Sequence, residues 1–357
     1  MKERIRILYE NAYSFKKNWK SNYRFHGGVL SIIRCFWGTI DSLAHPTRSN
    51  SLQDQLDILT FSIVPSLTLV WLAFIRKVQI KKQCQIFIGD CSGGIRLRSK
   101  WLEGVNILPF LNQTHGEKLD TFFARVCQAE YVLVCDDDVF FLDEVPLVWG
   151  LAQMKADPNV AVVSFLPRQR FTWEINQKEY IVMGSYCLLV RRDIWLKEKL
   201  SFRTVHQPSI NPKSYKGEYD TADYANVELI RRGYRILILP TELRSHLHIC
   251  HGISGTLFDA LSFFGRNFAD RIRFFRPLDI TYSNLSFAKE ISVLAESIYP
   301  DAAKNSFEWE FLIQQTLQIL NERLSPDEVR HLDDQIDRDI QNLSLAIFDK
   351  TKIRSGK

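Results

Sequence analysis

Residues 131–142 read Tyr-Val-Leu-Val-Cys-Asp-Asp-Asp-Val-Phe-Phe-Leu: an apolar run, Tyr131 to Cys135, is broken by Asp136, Asp137 and Asp138 and resumes at Val139, Phe140 and Phe141. A short apolar run of this composition reads as a buried strand, here one that carries three acids to its tip. Because side chains alternate with a period of two, Asp136 and Asp138 are expected on one side and Asp137 on the other. Two carboxylates converging beside a buried sheet repel each other, and a hard divalent cation with oxygen ligands, magnesium or manganese, relieves them. The plainer alternative is a polar turn whose acids cap the next element, although three adjacent acids inside an apolar stretch are costly without a purpose.

Outward from this strand the chain alternates between β and α patterns. Ile58 to Ile75 is an uncharged run at the lower limit for a membrane span, but Pro65 and Ser66 split it. The better reading is a strand over Leu56 to Val64 followed by a helix that starts near Pro65. Strands are expected over 84–88, ending in Gly89-Asp90-Cys91-Ser92-Gly93-Gly94, and over 105–108, 131–135, 160–165, 182–190 and 235–239. Helices are expected over 116–128 and 222–232. Such alternation implies an α/β fold with a mainly parallel, doubly wound sheet whose ligand site lies at the carboxyl ends of the strands, where Asp90 and the acidic triplet both fall. Beyond Pro277 the pattern is one of polar helices, about 285–298, 305–323 and 326–347. The expected organisation is therefore a basic N-terminal extension (1–50), an α/β domain (51–257) and a helical C-terminal region (258–357).

Composition sets bounds on function. A chain of 357 residues, 46% hydrophobic and 24% charged, is an ordinary globular one. Seven scattered cysteines with no CxxC pair fit reduced thiols in a cytoplasmic protein, which also makes the sequons at Asn112, Asn284 and Asn342 unimportant. The net charge of +5 is concentrated at one end: residues 1–50 hold nine Lys or Arg against three acids, and between them stand Tyr9, Tyr13, Phe15, Trp19, Tyr23, Phe25, Phe36 and Trp37. Cations mixed with aromatics suit an anionic membrane surface, at the inner face for a cytoplasmic protein; a basic helix folded onto the main domain is the equal alternative. No basic groove elsewhere argues for nucleic acid.

Five short motifs, in order and spacing, resemble the inverting nucleotide-sugar glycosyltransferases of the GT-A fold, most of all glycosyltransferase family 2, across roughly Leu56 to Gly255. Ile88-Gly89-Asp90-Cys91-Ser92 stands where the family binds the donor's base. Gly116-Glu117-Lys118-Leu119-Asp120 is similar to its helix start with a basic residue near the nucleotide. Asp136-Asp137-Asp138 is similar to its Asp-x-Asp motif. The resemblance implies that Asp138 binds a metal bridging the diphosphate, and that Asp136, beside the ribose and the metal, and Asp137 contact the donor. Gly184-Ser185-Tyr186 resembles the strand start bordering the acceptor. Asp220-Thr221-Ala222-Asp223, before a helix ending at Arg231-Arg232-Gly233, occupies the place of the catalytic base. The usual Glu-Asp pair is absent, so Asp223, favoured by spacing, and Asp220 both remain candidates. Either acid also suits a helix cap, with Gly233 as the stop. In Ser245-His246-Leu247-His248-Ile249-Cys250-His251-Gly252, the family resemblance makes His251 a further metal ligand; a cramped zinc site from His246, His248, Cys250 and His251 is the alternative.

The activity implied is transfer of a sugar from a UDP- or GDP-sugar to a glycan or lipid-linked acceptor. Two other enzymes compete. In a haloacid-dehalogenase-type phosphatase Asp136 and Asp138 would be the strand-end acids, but a later Asp-Asp pair at a strand end is wanted and Asp333-Asp334 falls in a polar helix. A sugar nucleotidyltransferase lacks its glycine-rich basic loop in residues 50–80. An inactive membrane-attached scaffold with the same fold is the alternative outside enzymes.

Overall fold

The computed structural model describes residues 29–45, 51–78, 84–93, 102–210 and 218–249 without a break, with Lys16, Ile95 and parts of 285–352. The chain forms two compact units, one of Met1–Pro65 with Trp71–Ile249 and another of Ser66–Val70 with Cys250–Lys357.

In the first unit the described residues form a seven-stranded sheet. Its strands are β1 (Leu52–Ser62), β2 (Cys84–Asp90), β3 (Val105–Pro109), β4 (Ala129–Cys135), β6 (Val160–Ser164), β9 (Cys187–Arg191) and β12 (Arg235–Ile238), in the order β12-β6-β9-β4-β1-β2-β3. All neighbours run parallel except at β9, which is antiparallel to both β4 and β6. The chain builds outward from β1 to β3 and then returns to lay β4 against the other side of β1, so the strand order reverses between β1 and β4. In open α/β sheets such a reversal leaves a crevice at the carboxyl edge. Every residue of β4 is buried, as the apolar run Tyr131–Cys135 requires of a central strand, and the one charged residue, Glu130, is paired with Arg191. Covering Val132, Leu133 and Val134 contributes on the order of 2 kcal/mol for each side chain.

Helix α1 (Val29–Ala44) belongs to this unit, and α2 (Pro65–Ile75) begins at the proline that splits the long apolar run. The expected strand-then-helix reading of that run is what the chain adopts, with β1 starting four residues earlier, at Leu52. Among the described residues no helix is long and apolar enough to cross a membrane. Helix α3 (His115–Arg125) packs its aromatic face under the sheet, with Phe122 edge-on to both Phe61 and Phe110 at 5.0 Å.

One expectation differs, and two helices were not foreseen. The single strand over 182–190 is two: β8 (Lys178–Met183) pairs with β7 (Pro167–Ile175) in a separate hairpin, and β9 starts afresh at Cys187. Gly184, Ser185 and Tyr186 form the joint, where the backbone changes sheets. Helix α4 (Val145–Ala156) was hidden by its composition: Val145, Pro146, Leu147, Val148 and Trp149 show no helical alternation of polar and apolar residues. The short helix α5 (Arg192–Lys197) follows β9 directly.

The remaining elements of this unit include β5 (Val139–Phe141), the small pair β10 (Val205–Pro208) and β11 (Glu218–Tyr219), α6 (Asp223–Arg231) and β13 (Leu247–Ile249). In the second unit, Leu285, Leu320, Val329, Ile336 and Ile340 form a separate core along helix α7 (Pro326–Lys352). Its start is a reciprocal cap: Ser325 N–H and Oγ donate to Glu328 at 2.8 and 2.7 Å, with Pro326 at the first helical position.

Candidate active site

Strand β4 stops at Cys135, and the three acids fold into a tight turn closed by Val139 N–H donating to the Asp136 carbonyl at 3.1 Å. The strand alternation expected of Asp136 and Asp138 therefore does not apply, because both lie past the last strand residue. Asp136 N–H donates to the Tyr186 carbonyl at 2.8 Å, which ties the turn to the Gly184–Tyr186 joint. Asp137 and Asp138 are buried, and the Asp136 side chain keeps 27% of its surface in solvent. His115 Nε2 lies 3.5 Å from Asp136 Oδ1. Protein packed around the Asp136 carboxyl, together with the charges of Asp138 and Asp137, pushes its pKa well above the carboxylate range, and only Lys118 pulls the other way.

Lys118 is held on helix α3, its Nζ donating to Asn112 Oδ1 at 3.0 Å and lying 4.9 Å from the centre of the Phe61 ring. The helix start is set by close backbone approach: a Cβ on Gly116 would fall 2.4 Å from the Phe202 carbonyl oxygen. Asp120 one turn on accepts from Phe202 N–H at 2.8 Å, while the Phe202 carbonyl accepts from Ala222 N–H at 2.9 Å. One residue thereby joins the amino ends of α3 and α6. That junction brings the segments of Lys118 and of Asp220 and Asp223 to one edge of the sheet.

Asp90 terminates β2 at the same edge and is fully buried. Its Oδ1 accepts from the N–H groups of Ser92 and Gly93 and from Ser92 Oγ, and its Oδ2 accepts from Ile95 N–H. Burial raises its pKa against these bonds. The carboxylate shapes the loop from inside it.

Around Gly184 the backbone is crowded. Its N–H donates to the Leu166 carbonyl at 3.1 Å, and a Cβ there would meet that same oxygen at 2.8 Å. Buried Asn226 on α6 grips the preceding residue from both sides, accepting from Met183 N–H at 2.9 Å and donating to its carbonyl at 3.4 Å. Ahead of it, Asp223 is fully buried and its Oδ2 accepts from Asp220 N–H at 3.0 Å, while Asp220 is half-buried. Between them Ala222 is held at a φ of 62°, the left-handed conformation that costs a non-glycine residue on the order of 1 kcal/mol. Asp223 braces the turn, and half-buried Asp220 accepts from Thr221 N–H at 2.7 Å through its Oδ1.

Strand β13 runs antiparallel to β5, with Leu247, His248 and Ile249 opposite Phe141, Phe140 and Val139. His246 Nδ1 lies 2.7 Å from Asp143 Oδ2, and the His248 ring stacks on Phe140 at 6.3 Å. Cys250 and His251 lie outside the described residues. Among the described residues no three His, Cys, Asp or Glu side chains converge into a metal cage. Adjacent carboxylate oxygens, as at Asp136 and Asp138, are the donor type that fits magnesium or manganese, which are commonly held by one or two carboxylates plus the phosphates of a substrate. His115, Asn226 and the Tyr186 carbonyl were not foreseen; His115 directly precedes Gly116, and only the tertiary contact with Asp136 marks it.

No family model and no curated protein matches the chain. Solved structures similar to it include 4-diphosphocytidyl-2C-methyl-D-erythritol synthase from Anaerococcus prevotii, at 12% identity over 54% of this chain and 89% of that one, with a TM-score of 0.34. The galactosyltransferase LgtC in complex with donor and acceptor sugar analogues is 13% identical over 51% of this chain and 72% of that one, with a TM-score of 0.32. S. aureus TarS is 11% identical over 73% of this chain and 55% of that one, with a TM-score of 0.36. Likenesses this slight carry no argument about activity. The mainly parallel, Rossmann-like α/β fold stands on the strand order itself, and it is the fold that the resemblance to GT-A glycosyltransferases implies.

Proposed function

We propose that the protein is an inverting glycosyltransferase that moves a sugar from a nucleotide-diphosphate donor to a glycan or lipid-linked acceptor. The observation that carries this reading is the gathering of the Asp136–Asp138 turn, His115, Lys118, the Asp90 loop and the Asp220–Asp223 turn at the carboxyl edge of one sheet, beside its reversal of strand order. A magnesium or manganese ion held by Asp138 and Asp136, with His251 as a further candidate, would supply Lewis-acid neutralisation of the leaving diphosphate.

The chain's own groups divide the remaining work. The loop shaped by Asp90 receives the nucleoside, with Asp137 on the donor side. Lys118 favours the ionised form of Asp136, and His115 Nε2 stands 3.5 Å from its Oδ1. Asp220 takes the proton from the acceptor hydroxyl as its oxygen bonds to the anomeric carbon, while the bond from that carbon to the diphosphate oxygen breaks on the opposite face. Asp223 fixes the turn that aims Asp220, and Gly184 and Ser185 border the acceptor.

The deciding experiment is calorimetry with a panel of UDP- and GDP-sugars in manganese, followed by turnover of whichever donor binds. Uptake is expected only with metal and nucleotide sugar together, and Asp138→Asn is expected to lower turnover by about 100-fold or more at unchanged circular dichroism. Near-normal turnover of that variant, or no metal-dependent uptake of any donor by the intact protein, refutes the reading.

A further inference from the structure

Helix α1 is turned inside out. The face it lays on its own unit holds Ser31, Ile32, Cys35, Thr39 and Ser42, mostly small or polar, whereas Val29, Leu30, Ile33, Phe36, Trp37, Ile40 and Leu43 stand exposed. At 100° per residue the seven exposed side chains fall on one continuous arc, bordered by Arg34 and Asp41. Exposure is greatest at Leu30 (78%) and Trp37 (63%), and the Phe36 and Trp37 rings meet edge-on at 5.8 Å.

The inner face is fixed in place. A Cβ at Gly38 would fall 2.0 Å from the Pro109 carbonyl oxygen, Leu111 N–H donates to Thr39 Oγ1 at 2.7 Å, and Arg125 donates to the carbonyls of Leu43 and His45. Rolling the helix to hide its apolar arc would break each of these contacts. The outward face is thus a held feature of the fold, and a contiguous exposed apolar patch of this kind marks an interaction site.

Charge selects the occupant. The fifty residues that contain α1 carry nine Lys or Arg against three acids, a net +6, while the other 307 residues together are near neutral. A second copy would carry the same net positive charge and be repelled, whereas anionic phospholipid attracts the cations and accepts the apolar arc. The helix, at 16 residues, falls short of the roughly 20 needed to cross a bilayer, and its two-sided pattern suits lying in the interface plane.

We infer that α1 is an interfacial helix that docks the protein on an anionic membrane surface, with Leu30, Phe36 and Trp37 entering the headgroup boundary and the basic N-terminal segment engaging the lipid phosphates. An apolar face and a cationic segment supply the two signals that stable peripheral attachment requires. The inference is independent of the sugar-transfer reading, since it is tested by binding alone.

The test is co-sedimentation of the full chain with phosphatidylcholine vesicles, with and without about a third of phosphatidylglycerol, at low and high salt. Partitioning is expected to be about tenfold stronger on the anionic vesicles and to fall with salt. The double variant Leu30→Ser, Trp37→Ser should lose about tenfold in partitioning with unchanged melting temperature, because both side chains are exposed, and Lys16→Glu, Lys17→Glu, Lys20→Glu should abolish the preference for anionic lipid. Equal binding by both variants and the parent, no binding by the parent, or a dimer in solution that the double variant dissociates each overturns the proposal.

Discussion

Asp220 and Asp223 share one turn yet have different fates: Asp223 is fully buried and accepts the Asp220 N–H, while Asp220 keeps access to solvent. Sequence spacing put the pair forward and favoured Asp223, but spacing counts residues from a helix end and says nothing of burial. Asp220→Asn is therefore expected to lower kcat by about 100- to 10,000-fold with the donor KM nearly unchanged. Asp223→Asn should instead reduce kcat by about tenfold together with a measurable fall in thermal stability. Equal losses with no stability change would remove the division of roles. Asp120 supplies a test by pH. Burial, against bonds from Phe202 N–H and Ser201, raises its pKa above 3.8. A raised carboxyl favours the folded state when protonated, so its stabilising contribution is complete below 3.8 and is lost as pH rises through the folded-state value. Melting temperatures of the parent and of Asp120→Asn should then diverge as pH rises through this window, the parent losing ground to the variant. A constant difference would show that Asp120 titrates normally.

At the scale of elements, the legible parts were those whose local pattern agrees with their tertiary role. Strand β4 was readable because it is apolar at every position from Tyr131 to Cys135, and α3 and α6 because Leu119, Phe122 and Phe123, and Ala225 and Leu229, recur at helical spacing. Helix α4 was not, since its solvent face carries Val145 and Val148 and so shows no alternation. The joint at Gly184 was hidden for another reason: apolar residues continue through β8 and β9, and only tertiary pairing separates the two strands. Asn226 is what holds that joint to α6, and nothing in its neighbourhood of sequence announces it. Asn226→Ala leaves the Met183 N–H and carbonyl without their side-chain partner and should cost about 2–3 kcal/mol, read as a lower denaturant midpoint at constant slope. Gly116→Ala, forced against the Phe202 carbonyl, should cost a similar amount and weaken donor binding by displacing Lys118. Unchanged stability in either variant would mean that the two helix starts are not clamped as described.

For the molecule as a whole, the decisive asymmetry lies between the two edges of the sheet. The carboxyl edge collects the acids, His115 and Lys118, whereas the amino edge holds a cleft of about 260 Å³ lined by Gln53, Asp54, Glu130, Tyr131, Lys155 and Arg191. The charges of that cleft are spent on the fold. Arg191 and Glu130 pair at 3.1 Å in near-complete burial, and Arg191 also caps the Met154 and Asp157 carbonyls. Removing one partner of such a pair leaves the other charge stranded, so its purpose is structural. At the carboxyl edge burial, and after it the charges of Asp138 and Asp137, raise the Asp136 carboxyl, a state that a bound cation would relieve. Hydrogen exchange with manganese and the bound nucleotide sugar discriminates the two edges directly, because a ligand slows exchange of the amides it covers or rigidifies. Protection is expected at 90–93, 115–120, 136–139, 184–187 and 220–226, all at one edge, with no change at 53–54, 130–131 and 154–158. Protection concentrated at the amino-edge segments would move the site to the opposite end of the sheet and remove the basis for assigning the chemistry to Asp136, Asp138 and Asp220.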